Sequence, residues 1–487
     1  MTKGWPETGT GFEISQAQED GRKLSRRRLV QIAAAGTFLL AVMALASINQ
    51  LYLLFPGFWI VLILAIFLQP YVDSEKLFHG SMYLLVAATF LNQSVISINL
   101  GVFSLFMYRL VLIAASVLFI IHITKEKNLF RYWDQVHVKG SLLFLLFWLG
   151  YGMTSLLWAK SIIEGLKYLF LLGTGILFIF LAVFTFTKIS RLYLFYGIWM
   201  IMTIGLLILG LANHFWQVQL PSSTLYGAPE YKLGYPTAVF FNQNDFAAFL
   251  TISFCFYLAA AKNSKGVWIK TLAILLAVLS VYIVFLTESR ASLLAMMAAL
   301  AVYLFILLPA VLKKAAILAG SAITIVVTVA FAGSLMMAPM EDSTSSNAVR
   351  VNLLKNTLHY VLDTFGFGVG AGNIPFYLKH EPVYETDSVI EVHNWLAELL
   401  GNFGIFIFLG YIAMYAYLFF SLYTLHKQGK RHKVLLEAGM VAMAAFLVAS
   451  ISPSSVSNLY FHWVFLGFVM AVVSVFKSKQ QERENIY

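Results

Sequence analysis

Three side chains able to neutralise an anion or move a proton stand beside long apolar runs. Arg290 lies in Thr-Glu-Ser-Arg-Ala-Ser (287–292), at the junction of two such runs. A guanidinium at a hydrocarbon boundary costs a few kcal/mol unless it is paired or hydrated. It therefore either snorkels to the interface, with Glu288 as a partner within reach, or binds an anion. Arg350 opens a stretch whose apolar residues recur at helical spacing, and is either a solvated face residue or an anion ligand. His393 begins His-Asn-Trp-Leu-Ala-Glu-Leu-Leu-Gly-Asn-Phe-Gly (393–404). It is either an interfacial polar residue or a proton-transfer group, because imidazole titrates near neutrality. Asn394 is placed to cap the helix that follows. Glu398 either orients the imidazole or faces water.

A second set is less charged. Asn242, Asn244 and Asp245 stand at the mouth of an apolar run in Phe-Phe-Asn-Gln-Asn-Asp-Phe (240–246), where they cap a helix or bind sugar hydroxyls. Arg109, and Lys167 three residues after Glu164, lie near membrane ends on the same expected face. They are satisfied bundle residues or substrate contacts. The stretch Gly366-Phe-Gly-Val-Gly-Ala-Gly372 superficially resembles a nucleotide loop, but it follows a helix rather than a strand, so that reading is rejected. It is a flexible turn or a place where backbone N–H groups approach a phosphate. No His, Cys and Asp cluster has metal-ligand spacing, and no Asp-x-Asp falls in an outer loop. A metal-dependent, nucleotide-sugar transferase is thereby disfavoured, and no metal or other cofactor is expected.

The elements that must position these residues are membrane helices. Of 487 residues only 11% are charged and 60% are apolar, with a mean hydropathy of +0.80. That leaves too few polar side chains to cover a water-facing surface. The formal charge of +10 sits mostly in tails and short loops, which is a topology signal and speaks against a nucleic-acid partner. The single cysteine, Cys255, can form no internal disulfide. The run after Arg26, Arg27 and Arg28 has no small-residue cleavage site, so an uncleaved first helix is expected.

About fourteen apolar stretches have the roughly 17–22 residues that a crossing needs. They cover 29–48, 51–70, 80–97, 104–123, 141–158, 165–186, 191–212, 245–262, 268–286, 291–310, 315–333, 403–424, 434–452 and 458–476. The third is interrupted by Asn92, Gln93 and Ser94. Lys and Arg alternate between the loops, which places both termini in the cytoplasm. The expected organisation is a cytoplasmic tail over 1–28, a bundle over 29–333 with an outer loop at 213–244, and a large extracytoplasmic loop over 334–392. Helices over 393–476 and a cytoplasmic tail over 477–487 complete it. Val349, Leu353, Leu354, Leu358, Val361 and Leu362 predict an amphipathic helix within the large loop, lying on the membrane or on the bundle.

In order and spacing, these motifs resemble the O-antigen ligase and polysaccharide polymerase family of bacterial envelope proteins. The elements are Asn242–Ala247, Thr287–Ser292, Arg350 with the Gly366–Asn373 run, and His-Asn-x9-Gly at His393, Asn394 and Gly404. The resemblance is strongest over 235–420. It departs from the family at Gln243, where proline is common, and at Ile407, where a small residue is common. It implies an all-α, GT-C-like polytopic fold with 12–14 transmembrane helices in the bacterial cytoplasmic membrane. The implied activity is metal-independent, inverting transfer of a glycan from undecaprenyl diphosphate to a hydroxyl, with membrane lipid as surroundings. A chain-length regulator is a further partner to consider. Arg290 and Arg350 would hold the diphosphate, and His393 would act as base or orienting group. Asn242, Asn244, Asp245, Asn394, Glu398, Arg109 and Lys167 would line the substrate. Bidentate arginines suit a diphosphate leaving group. Within the family a polymerase and a ligase need the same side chains; the His-Asn-Trp and Asn-Phe-Gly style resembles polymerases of capsular or teichuronic-type wall polysaccharides in Gram-positive bacteria. The alternative from another class, a lipid-linked oligosaccharide flippase or transporter, would be expected to place charges in a central cavity and show paired halves. Here the charges gather on one face and the halves look unrelated.

Overall fold

The computed structural model describes residues 74–91, 97–99, 104–126, 129–309, 311–316, 318, 320, 346–429 and 431–484. The expected spans 29–48 and 51–70, most of 315–333, the N-terminal tail and loop residues 334–345 lie outside the described residues. The chain divides into two compact units, one of 1–81 with 113–127 and one of 82–112 with 128–487. Among the described residues of the first, Phe78 packs on Phe119 at 5.1 Å between ring centroids. Everything that concerns the site belongs to the second.

The fold is all-α and polytopic. The long helices are α1 (Ser74–Thr89), α2 (Met107–Glu126), α3 (Lys139–Ser155), α4 (Ile162–Thr185), α5 (Ile189–Trp216), α6 (Gln243–Asn263), α7 (Val267–Leu286) and α8 (Arg290–Leu307). They continue as α9 (Ser346–Asp363), α10 (Ile374–His380), α11 (Trp395–Gln428), α12 (Lys433–Ala449) and α13 (Tyr460–Glu484). Among the described residues seven helices, α4 to α8, α11 and α13, are long and apolar enough to cross a membrane. A short antiparallel ladder joins Ser97–Asn99 to Ser104–Phe106. The span expected over 80–97 is instead α1, which ends at Thr89, before the polar Asn92–Ser94 that no membrane helix would carry cheaply.

Helices α6 and α13 form the centre. Every residue from Phe246 to Tyr257 and from Leu459 to Val475 is buried, the pattern of a helix enclosed by others. By contrast α7 and α8 present Leu275, Val278, Phe285, Leu294, Met297 and Leu304 outward. Lipid tails are as apolar as leucine, so packing comes from close fit at small residues. Gly175 receives the Trp463 ring, Gly410 receives Phe144, and Gly467 receives Phe178. Trp148, Trp395, Tyr411 and Trp463 cluster with ring centroids 5.9–6.4 Å apart, several edge to face.

The helices run alternately, so that Lys139, Lys188, Lys262, Lys265, Arg431, Lys433 and Lys477 fall at one end. Buried Glu437 ties this end together, taking Lys262 at 2.7 Å, Asn263 at 2.7 Å, Tyr303 at 2.9 Å and His426 at 2.9 Å. At the opposite end lie the 213–244 connection and α9 to α10. Asn213 Oδ1 accepts from the N–H groups of Thr237 and Ala238, which fixes the first of these. The predicted amphipathic helix is α9, and it lies on protein: Val349, Leu353 and Tyr360 share a small core with Val369, Ile374, Leu378 and Val392.

Helix α11 begins at Trp395, earlier than the expected span, because it is two helices joined across a break at Gly404. There φ is 74° and ψ is −171°, a combination open essentially to glycine alone. The main chain of Gly366 and Phe367 occupies the place where a Cβ would stand. Across this break Val369 N–H donates to Gly401 at 2.9 Å, Gly370 N–H to Asn402 at 3.0 Å and Ile405 N–H to Gly366 at 2.8 Å. Gly404→Ala is expected to destabilise the protein by at least ~1–3 kcal/mol from backbone strain alone. Gly150, whose Cβ would meet nothing within 4 Å, provides the control. Thermal unfolding in detergent should show a large fall for Gly404→Ala and little for Gly150→Ala; equal shifts would refute the account.

Candidate functional site

Three helix starts meet at the end that carries the loops. Ser161 Oγ accepts from Glu164 N–H at 3.4 Å, Asn242 Oδ1 from Asp245 N–H at 2.9 Å, and Asn394 Oδ1 from Ala397 N–H at 3.1 Å. Asn242 and Asn394 are therefore helix caps, the first of the two readings their positions offered.

The connection between α12 and α13, Ser450-Ile-Ser-Pro-Ser-Ser-Val-Ser-Asn-Leu459, links these starts. Ser450 C=O accepts from Trp395 N–H at 3.1 Å. Ser452 Oγ donates to Asn244 Oδ1 at 2.9 Å and lies 3.0 Å from Ser289 Oγ, next to Arg290. Ser454 Oγ receives Asn242 Nδ2 at 3.3 Å. Ser455 Oγ donates to Glu398 Oε1 at 2.8 Å. Side chains from α6, α11 and the start of α8 converge here from positions 57 to 212 residues away in sequence. The serine density of 450–457 was the one signal of this hub in the sequence, and it was passed over.

His393 stands on the turn before α11 with φ at 51°. Its Nδ1 is buried without a hydrogen-bond partner. Burial holds the ring below its ordinary value of 6.5, with the Arg350 guanidinium pressing the same way. Glu391 and the main chain of Ser452 and Pro453 oppose this, but burial wins, and the imidazole is neutral at pH 7. Arg350, in the first turn of α9, is exposed, as is Arg290 at the start of α8. Neither guanidinium makes a hydrogen bond or ion pair among the described residues. Glu288, a potential partner of Arg290, lies instead beside Tyr235.

Arg109 is different. It is buried, donates twice to Tyr460 Oη at 3.1 and 2.8 Å, and lies over the Phe106 and Phe170 rings. Lys167 pairs with Glu164 at 2.7 Å, as its spacing suggests. Glu398 neither orients the imidazole nor faces water: it is buried, and its Oε1 accepts from Tyr168 Oη at 2.9 Å and from Ser455. The glycine run forms neither a phosphate cradle nor a flexible turn. Its N–H groups at Gly366, Gly368, Val369, Gly370 and Ala371 are already committed within the protein. A Cβ on Gly368 would strike the main chain of Asn402 and Gly404.

Two cavities adjoin at this end. One of about 330 Å³ is lined by Lys167, Tyr168, Pro375, Glu391, Glu398 and Ser455, among others. The second, about 370 Å³, carries Arg109, Phe240, Phe241, Asp245, Glu391 and Tyr460. Asp245 is buried, and its Oδ1 has no hydrogen-bond partner. Both lie at the lower end of the size range of small-ligand sites, and both combine apolar walls with a few polar groups. Glu391 escaped notice in the sequence because a single acid in a polar loop carries no pattern. Among the described residues no three His, Cys, Asp or Glu side chains come together as metal ligands.

Comparison with known proteins agrees with this constellation. The family described as O-antigen ligase matches residues 275–412, the segment that holds Arg290, Arg350, the glycine run and His393. The teichuronic acid biosynthesis protein TuaE of Bacillus subtilis (strain 168) is 49% identical over 431 residues, covering 86% of this chain and 88% of that protein. At that identity and coverage, the chain belongs to the O-antigen ligase and polysaccharide polymerase family.

Proposed function

We propose that the protein polymerises undecaprenyl-diphosphate-linked repeat units into a wall polysaccharide of the teichuronic acid type. The glycan on one lipid is transferred, with inversion and without a metal ion, to a hydroxyl of a second unit. The reaction takes place on the outer face of the bacterial cytoplasmic membrane, with both termini inside. The basic loops support this orientation, since they lie at the end opposite the site. The name and 49% identity of the Bacillus protein support the product class.

The observation that carries the reading is the pair of unmatched, exposed arginines on the same face as a half-buried, neutral histidine. In the transfer, negative charge grows on the departing diphosphate. Two guanidiniums with all their donors available can bind it bidentately. Placed where charge develops, such donors lower the barrier more than they tighten ground-state binding. Arg290 and Arg350 take this part. His393 holds or deprotonates the acceptor hydroxyl, and either task needs the unprotonated ring. Asp245, Asn244, Arg109, Lys167 and Glu398, with the caps Asn242 and Asn394, shape the space for the glycan.

Reconstitution with a lipid-linked oligosaccharide as sole substrate, with EDTA and no nucleotide sugar, should give a ladder of repeat multiples and free undecaprenyl diphosphate. Transfer seen only after a different acceptor is supplied would mean a ligase. Intact substrate that crosses the bilayer would overturn the enzyme reading in favour of a flippase. Arg290→Ala, Arg350→Ala and His393→Ala should each reduce transfer by about 10²-fold or more, the scale of losing one transition-state donor or one acid–base group. Membrane insertion should be unchanged, and a normal ladder from His393→Ala would remove the histidine from the mechanism. The pH dependence follows from the lowered pKa. Protonation of His393 requires a pH below its ordinary 6.5, so activity should be level through neutral pH and fall only below that value. A rate that already falls between pH 8 and 7 would contradict it.

A further inference from the structure

A third cavity, of about 770 Å³, lies at the end opposite the site, where the basic residues gather. It sits between the start of α3 and the middle of α11, with Gln481 of α13 also on its wall. Gly410, Ala413, Met414 and Tyr417 line it at helical spacing, so one face of α11 borders it over about 10 Å. Phe144 of α3 faces them and completes an apolar part. The rest of the wall is polar, and it surrounds the first turn of α3.

That turn is unfinished. Val138, at the cap position, offers no side-chain hydrogen bond. The N–H groups of Lys139, Gly140 and Ser141 have no hydrogen-bond partner among the described residues, so the positive end of the helix is left uncompensated. Ser141 is only 4% exposed and lines the cavity, yet its hydroxyl makes no hydrogen bond among the described residues. A buried hydroxyl left unpaired is costly, and the cavity is where a partner has room. Lys139 stands on the same wall. Its pairing with Asp134, the acid of this wall, is long at 3.9 Å and exposed on both sides, which makes it weak. Lys477 adds a second ammonium group, donating to Tyr417 Oη at 2.9 Å. Open N–H groups, an open hydroxyl and two cations against one carboxylate suit a phosphate.

We infer that this cavity binds an anionic phospholipid from the leaflet at the basic end, with its phosphate on the start of α3 and an acyl chain along α11. Free phosphate would leave the apolar wall of Phe144, Ala413 and Met414 empty, and an acyl chain alone would leave Ser141 and the N–H groups unpaired. A phospholipid supplies both parts in one molecule. Basic pockets between membrane helices hold anionic headgroups by this same combination. The site goes beyond the proposed glycan transfer and stands whether or not that transfer occurs. Because α3 and α11 both border the cavity, a bound lipid braces them against each other.

The test uses the full-length protein, delipidated in detergent, with binding read by native mass spectrometry and stability by thermal unfolding. Dioleoyl phosphatidylglycerol should bind one per protein, about tenfold or more tighter than dioleoylglycerol or dioleoyl phosphatidylcholine, and should raise the unfolding temperature. Gly140→Glu puts a carboxylate among the same N–H groups. A Cβ there meets nothing within 4 Å, and an acid in the first turn of a helix is favourable, so the lipid-free variant should be at least as stable as wild type. Its affinity for phosphatidylglycerol should fall by about tenfold or more. Wild-type affinity in Gly140→Glu would overturn the assignment, as would equal binding of phosphatidylglycerol and dioleoylglycerol. Inorganic phosphate that stabilises the protein as much as the lipid does would make this a site for a soluble anion, and the lipid would be excluded. If Gly140→Glu does not fold, Ser141→Ala combined with Lys139→Gln decides by the same comparison, and undiminished lipid binding there would sink the proposal.

Discussion

The site depends on the break at Gly404. An unbroken α11 would satisfy its own backbone throughout and leave the glycine run without partners. Because the helix opens there, carbonyl groups of Gly401 and Asn402 and the N–H of Ile405 become available to Gly366, Val369 and Gly370. Two backbones can approach this closely only without side chains between them, so the requirement for glycine falls on Gly368 and Gly404 together. The contact holds the end of α9 and the beginning of α11 in one register. Arg350 belongs to the first element, and His393 and Glu391 lead into the second. The charge of the guanidinium is felt at the imidazole because that register is fixed.

A second fixed point is the serine turn between α12 and α13. Hydroxyls suit such a place, since each can donate in one direction and accept from another. Ser452 and Ser454 meet the caps of α6, Ser455 meets Glu398, and the main chain meets Trp395 and His393. The ionic knot at Glu437 fastens the other end of the same helices. The bundle is thus tied by polar groups at both ends and by close aromatic packing between them.

Much of this was legible in the sequence, for a physical reason. A membrane solvent forces long apolar runs, so α4 to α8 follow hydropathy closely. Arg290 and His393 declared themselves by standing at apolar boundaries. The cap roles of Asn242 and Asn394 followed from position. What escaped was whatever only the tertiary fold decides. Glu391 is one acid among several in a polar segment, and nothing local separates it from Glu381 or Glu385. The expectation for Glu398 failed because burial, and not sequence distance from His393, selects its partners. The glycines suggested phosphate or flexibility, and a helix break at Gly404, beyond the His393-Asn394 motif, turned them into a main-chain dock. The start of α11 differs from the expected one for the same reason, since two glycines and one polar residue within Leu400–Gly404 interrupt the apolar run.

The enclosure of α6 and α13 bears on how the chain is made. α6 enters the membrane in mid-synthesis, yet almost none of its surface faces lipid in the finished protein, and it is the least apolar of the seven crossing helices. Two of the helices that enclose it, α12 and α13, follow every other described helix in the chain and leave the ribosome after them. Until they arrive, the face of α6 that they cover meets either lipid or passing neighbours. The site's face, which draws on the serine turn between α12 and α13, exists only once these two helices are in place. A chain stopped before that point would carry every arginine of the site and still have no site.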